Sequence, residues 1–388
     1  LRHRFSGCSG DRRHDLHRLG LLDRVTVLST VSGGSVIGAY FHTQVNAEGG
    51  DFAGFEANIR ALLARGLARP MCRKLFSWLG IKIAAAFAMI GIVALGITLI
   101  KMLLKVGRWI MPHALAAHFE RFEIRSPLHR FASRTTLLEA VLNELLFKGV
   151  SLSSLPPQPQ LVINATALRT GSAFRFGTKE SGSWRWGKLH RNNASVAHAV
   201  IASAAYPLFL PAFDEALTFD KDGALKANRV ILTDGGIYDN LGLGCLWSGR
   251  SPDVSFNVIP VDTIICCSAG YGLRQEPPSQ FLFARMLSVF STIFDRAQNA
   301  AIHRLHEAQR TGQIKHFIFP YLGQLDRNLP KPPADLVRRE EAHAYPTDFN
   351  AMSDEWIERL SMRGEQMTVC LARAYIPHLI NETSVAPA

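Results

Sequence analysis

Residues 24–45 read RVTVLSTVSGGSVIGAYFHTQV, a β-branched run, a serine–glycine turn and an apolar segment in succession. The first eight residues, Arg24 to Val31, are short and β-branched, the signature of a buried strand. They run directly into Ser32-Gly33-Gly34-Ser35, and an apolar helix, VIGAYFHTQV, follows. A strand that ends in a tight serine turn and enters a helix lifts the hydroxyl above the sheet. It also places that hydroxyl at the positive end of the helix, where developing negative charge is favoured. In G-x-S-x-G terms the segment is Thr30-Val31-Ser32-Gly33-Gly34, with threonine in place of the first glycine. The alternative frame, Gly33-Gly34-Ser35-Val36-Ile37, has its second glycine one place late, at Gly38. Ser32 stands where the strand ends and Ser35 one turn inside the helix, so Ser32 is the candidate nucleophile, with Gly33 and Gly34 as elbow and oxyanion backbone. The bland alternative is a glycine-rich turn, one that binds phosphate, but neither G-K-[ST] nor G-x-G-x-x-G is present.

Outward from the elbow, Phe52, Phe55, Ile59, Leu62 and Leu63 share one face of a helix. Thr136–Lys148 predicts another, ended by Gly149. Strands are expected at LVINAT (161–166), Arg229–Thr233, Thr263–Cys267 and His316–Phe319. Helices are expected at Val196–Ala205, along the stripe Met286 to Leu305, and at Asp354–Tyr375. Continuous apolar strands alternating with helices imply an α/β fold with a mostly parallel sheet covered on both faces.

Asp234 follows the strand VILT and precedes Gly235 and Gly236 in LTDGGIYDNLG. A carboxylate at the C-terminal end of a strand is where open α/β sheets place active-site groups. An Asp-Gly pair is equally a common turn. Together, the serine elbow and the D-G-G motif resemble the patatin-like phospholipase family. VINATALRTGSAFRF (162–176), ASAAYP (202–207) and DGGIYDNLG (234–242) are similar to family segments as well. The resemblance covers about residues 21–245 and continues more weakly to the C-terminus. It implies a three-layer patatin-like fold and a Ser32–Asp234 dyad without histidine. In that dyad Ser32 forms an acyl-enzyme from an ester of a membrane lipid, of phospholipase A or lysophospholipase type, and Asp234 is the general base.

Two departures from the family pattern stand out. Thr30 puts a β-branched side chain where backbones crowd. Upstream, the family carries an apolar strand, a G-G-G-x-R oxyanion loop and a helix, where this chain offers Cys8-Ser9-Gly10-Asp11-Arg12 and few residues before Leu21. Residues 1–20 are therefore expected to be an atypical or truncated N-terminus, by fragmentation or a shifted frame. A catalytically impaired, membrane-associated patatin-like protein is the alternative reading, since each lost oxyanion donor costs about 3 kcal/mol.

Ile83–Ile100 (IAAAFAMIGIVALGITLI) holds eighteen residues with Thr98 the sole polar side chain, about 27 Å as a helix. A core helix is the alternative. Basic residues flank both ends, and a single span would separate Ser32 from Asp234 across the bilayer. Residues 75–112 are thus expected to be an apolar membrane-docking insertion with both ends on the cytoplasmic side, either re-entrant, with Gly91 and Gly96 at the bend of a shallow hairpin, or lying in the interface. That divides the chain into 1–20, a catalytic domain of 21–74 and 113–330, the insertion 75–112, and a helical C-terminal extension 331–388.

The chain has 388 residues, 47% of them apolar, 43 Lys+Arg against 32 Asp+Glu, and a net charge of +11. That apolar content excludes a disordered chain. Six cysteines without C-x-x-C spacing exclude a disulfide scaffold and a zinc ribbon. Fourteen histidines without H-E-x-x-H spacing speak against a metal hydrolase. No metal or cofactor is expected. A histidine-dependent α/β-hydrolase using His303, His306, His316, His343 or His378 is the enzymatic rival. The positive charge points to an anionic membrane surface at the cytoplasmic face of the cell membrane rather than to nucleic acid. The N-x-[ST] triplets at Asn164, Asn193 and Asn381 read as incidental.

Overall fold

The β-branched run forms strand β1 (Val27–Val31), and after Ser32 the chain enters helix α1 (Gly33–Val45). These elements belong to a computed structural model that describes residues 19–45, 52–107, 132–207, 209–247, 251, 254–270, 281–342, 345–346 and 348–380. The Cys8–Arg12 segment, residues 108–112 of the expected insertion, His343 and Asn381 lie outside the described residues. Helices α2 (Phe52–Arg65), α3 (Ala68–Leu75), α4 (Trp78–Gly107) and α5 (Arg134–Leu142) come next. Strands β2 (Gln160–Ala167), β3 (Ser172–Gly177), β4 (Gly182–Ser183) and β5 (Gly187–Leu189) lead to α6 (Val196–Ala204). A hairpin of β6 (Phe213–Lys221) and β7 (Ala224–Asp234) precedes the short α7 (Gly236–Asp239). The chain continues through β8 (Thr263–Ile265), α8 (Leu282–Arg310), β9 (His316–Ile318), α9 (Arg339–Ala342) and α10 (Asp354–Tyr375).

The expected mostly parallel central sheet is corrected. Strands β2 to β7 pair in sequence order and β7 pairs back onto β2, closing a six-stranded barrel that is antiparallel throughout. Parallel pairing is confined to β1 on β2 and to β8 on β9. The physical reason is that an apolar run reports burial on both faces, not strand direction. Strand β2 is buried at every residue from Leu161 to Ala167, and β3 at all but Ala173. Helix α6 packs on β2 and β7, and Phe174, Phe176 and Phe219 are buried in the same core as Val200 and Ile201. Closure depends on tight turns. Asp222 and Gly223 join β6 to β7 with φ of 55° and 80°, the two positive values that a hairpin with right-handed strand twist requires.

The membrane-associating insertion is corrected too. Residues 78–107 form one continuous helix through Gly91 and Gly96 rather than a bent hairpin. Ile83 and Ala86 are buried against Ala132 and Leu137, with Met71 and Leu79 packed alongside. Among the described residues no helix is long and apolar enough to cross a membrane. Apolar composition alone could not distinguish lipid from a protein neighbour as the partner of that inner face.

The C-terminal helix α10 is capped by Ser353, whose hydroxyl accepts from the Trp356 N–H. It buries Ile357, Leu360 and Met367 in the main core. Its Arg363 is fully buried and clamps the preceding segment through the carbonyls of Leu322, Gln324 and Val337 and the Asp326 carboxylate.

Candidate active site

Strand register brings the two sequence motifs together. The parallel strand β1 ends with Val31 opposite Asn164 of β2. The antiparallel strand β7 ends with Asp234 opposite Ala165, the next rung along β2. The C-terminal ends of β1 and β7 therefore meet head to head along β2. Residues 202 apart in sequence become neighbours without any loop having to reach across.

At the meeting point Ser32 adopts φ 51°, a left-handed conformation uncommon for a side-chain-bearing residue and one that turns the chain sharply from strand to helix. Its Oγ donates a hydrogen bond of 2.6 Å to Asp234 Oδ2. The other carboxylate oxygen, Oδ1, accepts the Gly236 N–H at 2.7 Å, and Asp234 is 2% exposed. One oxygen of the carboxylate is thus fixed by backbone while the other faces the hydroxyl. That geometry lets the carboxylate take the serine proton directly.

The glycine beside Asp234 answers a steric demand. A Cβ on Gly235 would lie 2.0 Å from the Asn164 carbonyl oxygen, so this turn can approach β2 only without a side chain. The Asp234 carbonyl accepts from the Thr166 hydroxyl at 2.8 Å, and the Asp234 N–H donates to the Ala205 carbonyl at 3.1 Å.

Of the elbow amides, Ser32 N–H donates to Ser203 Oγ at 2.9 Å and Ser35 N–H to the Ser32 carbonyl at 2.9 Å. Gly33 and Gly34 open α1, so their N–H groups are among those an α-helix leaves without an intrahelical acceptor. An oxyanion forming beside Ser32 meets the positive end of that helix.

Thr30, the residue that departs from the elbow pattern, is accommodated by Gly38. A Cβ on Gly38 would sit 2.4 Å from Thr30 Cγ2. The methyl of Thr30 therefore occupies space that a side chain on α1 would take, and the hydroxyl reaches the Val162 carbonyl at 3.4 Å.

Sequence reasoning missed Asn164, Ser29 and Ser203. Asn164 is 2% exposed and its amide donates to Ser29 Oγ at 2.9 Å and to the Thr30 carbonyl at 3.0 Å, tying β2 to the elbow strand. Ser29 Oγ donates in turn to the Gly242 carbonyl at 2.5 Å. The signal available was polarity: Ser29, Asn164 and Ser203 are hydrogen-bonding residues inside largely apolar elements, and buried polar groups need partners. The Ser32 hydroxyl's partner is Asp234, and none of His303, His306, His316 and His378 accepts from it. His306 instead packs edge-on to Phe317, and His316 against His378. No cluster of three or more His, Cys, Asp or Glu residues able to hold a metal ion occurs among the described residues.

A hydroxyl on a strand-to-helix turn, bonded to a buried carboxylate, belongs to the architecture of acyl hydrolases. The family model for patatin-like phospholipase matches residues 12–247, and the chain belongs to that family. Membership makes it a lipid acyl hydrolase by family, with lipid esters as its substrate class. No curated protein matches the chain.

Proposed function

We propose that the protein cleaves carboxylic esters of membrane lipids, in the manner of a phospholipase A or lysophospholipase, with Ser32 as nucleophile and Asp234 as general base. The observation that carries this reading is the 2.6 Å hydrogen bond from Ser32 Oγ to Asp234 Oδ2. As Ser32 Oγ bonds to the ester carbonyl carbon, its proton passes to Asp234 and the carbonyl oxygen takes up negative charge. The Gly33 and Gly34 N–H groups receive that charge. Collapse expels the alcohol half of the lipid, which takes the proton from Asp234 and leaves an acyl-Ser32 ester. A water molecule then gives a proton to Asp234 and its oxygen to the acyl carbon. The fatty acid departs as Ser32 recovers its proton.

The net charge of +11 supports work at an anionic membrane surface, the cytoplasmic face of the cell membrane. Fatty-acid release from vesicles of mixed phospholipid composition tests the proposal. The parent chain releases fatty acid, and Ser32→Ala and Asp234→Asn each lose at least a hundredfold, roughly the scale set by removing a nucleophile or its base. Parental release by either variant sinks the assignment.

A further inference from the structure

We propose that Ser203, on the last turn of α6, is the positioning residue that holds nucleophile and base at reacting distance. The inference rests on the Ser32–Asp234 dyad proposed above and extends it to a residue that touches neither the ester nor the transferred proton.

The hydrogen-bond capacity of one hydroxyl carries the argument. A serine hydroxyl has one proton to donate and two lone pairs to accept with. Ser203 Oγ donates to the Asn164 carbonyl at 2.6 Å, which uses its proton. It accepts the Ser32 N–H at 2.9 Å. Its remaining contact, Ser35 Oγ at 2.9 Å, must therefore run from Ser35 to Ser203. All three positions are filled and the hydroxyl has no freedom to rotate. Ser203 is fully buried, as is Ser35, so water does not compete for these bonds.

The same residue grips the other half of the dyad through its backbone. The Ser203 carbonyl accepts the Gly235 N–H at 3.0 Å, and Gly235 follows Asp234 directly. The Ala205 carbonyl, two residues on, accepts the Asp234 N–H at 3.1 Å and the Thr233 hydroxyl at 2.8 Å. The end of α6 and the residue after it thus fasten the nucleophile by a side chain and the base by main chain, with the Asn164 carbonyl between them on β2. Ser32 sits at φ 51°, and the bond from its own N–H to Ser203 is what holds that turn in place. Commitment of the Ser32 N–H has a second effect: this amide is not an oxyanion donor, which leaves that role to Gly33 and Gly34.

The test is steady-state hydrolysis of a short-chain aryl ester by the full chain, with thermal unfolding of each variant recorded alongside. Ser203→Ala removes one donor and two acceptor sites. It is expected to lower kcat ten- to a hundredfold with KM within about twofold, measured well below the midpoint of unfolding. Ser203→Cys nearly keeps the volume but offers a weak acceptor, and its kcat is expected to fall five- to tenfold even if the alanine variant does not fold. A merely structural role would lower the unfolding temperature and leave kcat per folded molecule unchanged. Parental kcat in either folded variant overturns the inference. Ser32→Ala and Asp234→Asn are assayed in parallel: if either keeps parental kcat, the dyad reading fails, whereas loss in both with parental kcat in Ser203→Cys fails the positioning inference alone.

Discussion

Gly38 and Thr30 show how a departure at one residue is absorbed at another. The Thr30 methyl fills the space where a Gly38 side chain would stand, 2.4 Å from its Cβ position. Gly38→Ala is expected to destabilise the protein by about 1–3 kcal/mol, the usual cost of overpacking. In a Thr30→Ala background the clash is gone, and the same change gains from the higher helix propensity of alanine, by about 1 kcal/mol. Urea unfolding of the four proteins checks this; additive effects would contradict the proposed contact. The two residues of the proposed dyad, which the structure brings within hydrogen-bond distance, stood out in sequence because each lies at a strand end followed by glycines. Asn164 was not, because its amide works across strands: the N-A-T triplet that reads as an incidental glycosylation acceptor is a buried tie between β2 and β1.

At the scale of elements, two histidines give the fold opposite pH limits. His198 on α6 lies between Glu139 of α5, at 3.5 Å, and Glu215 of β6, at 3.3 Å. Burial alone would push its pKa down, but the hydrogen bonds and charges of Glu139 and Glu215 outweigh burial and raise it to about 10. The protonated form is therefore favoured by folding. Its contribution is complete below the ordinary value of 6.5 and disappears as pH rises toward about 10. Burial pushes His42 of α1 below its ordinary value, against the opposing effect of its 2.8 Å contact with the Pro159 carbonyl. Its contribution is complete above 6.5 and declines as pH falls below it. Unfolding temperature is expected to decline between pH 7 and 10, and His198→Gln should flatten that alkaline limb while leaving the acid limb in place. A limb unchanged by His198→Gln would contradict the clamp. Arg363 performs a related task for α10: Arg363→Met strands the carbonyls of Leu322, Gln324 and Val337 and should cost about 3 kcal/mol in chemical unfolding. The bounds of α10, Asp354–Tyr375 ahead of Pro377, were legible in sequence, whereas the partners of Arg363 lie 26 to 41 residues away and leave no local pattern.

For the whole molecule, the barrel changes how the site is understood. Strands β1, β2, β7, β8 and β9 were readable from apolar runs, whereas β3 to β6, four of the six barrel strands, were not. Direction was hidden as well, since burial on both faces looks alike in parallel sheets and closed antiparallel barrels. The Asp222-Gly223 pair between β6 and β7 is a hairpin signal that a reading by apolar runs alone passed over. In the barrel, β2 pairs with β1, β3 and β7, so it is the common support of both catalytic candidates. Amides of Val162–Ala167 are expected to exchange hydrogen only through global unfolding, together with the ends of β1 and β7. Faster exchange in β2 than in the β6–β7 hairpin tip would contradict that hierarchy. The proposed Ser32–Asp234 dyad is tested by fluorophosphonate labelling of the full chain, followed by mass-spectrometric mapping of the modified peptide. A single adduct on Ser32 is expected, strongly slowed in Asp234→Asn and absent from Ser32→Ala. Labelling at Ser35 or elsewhere, or undiminished labelling of Ser32 in Asp234→Asn, would contradict it.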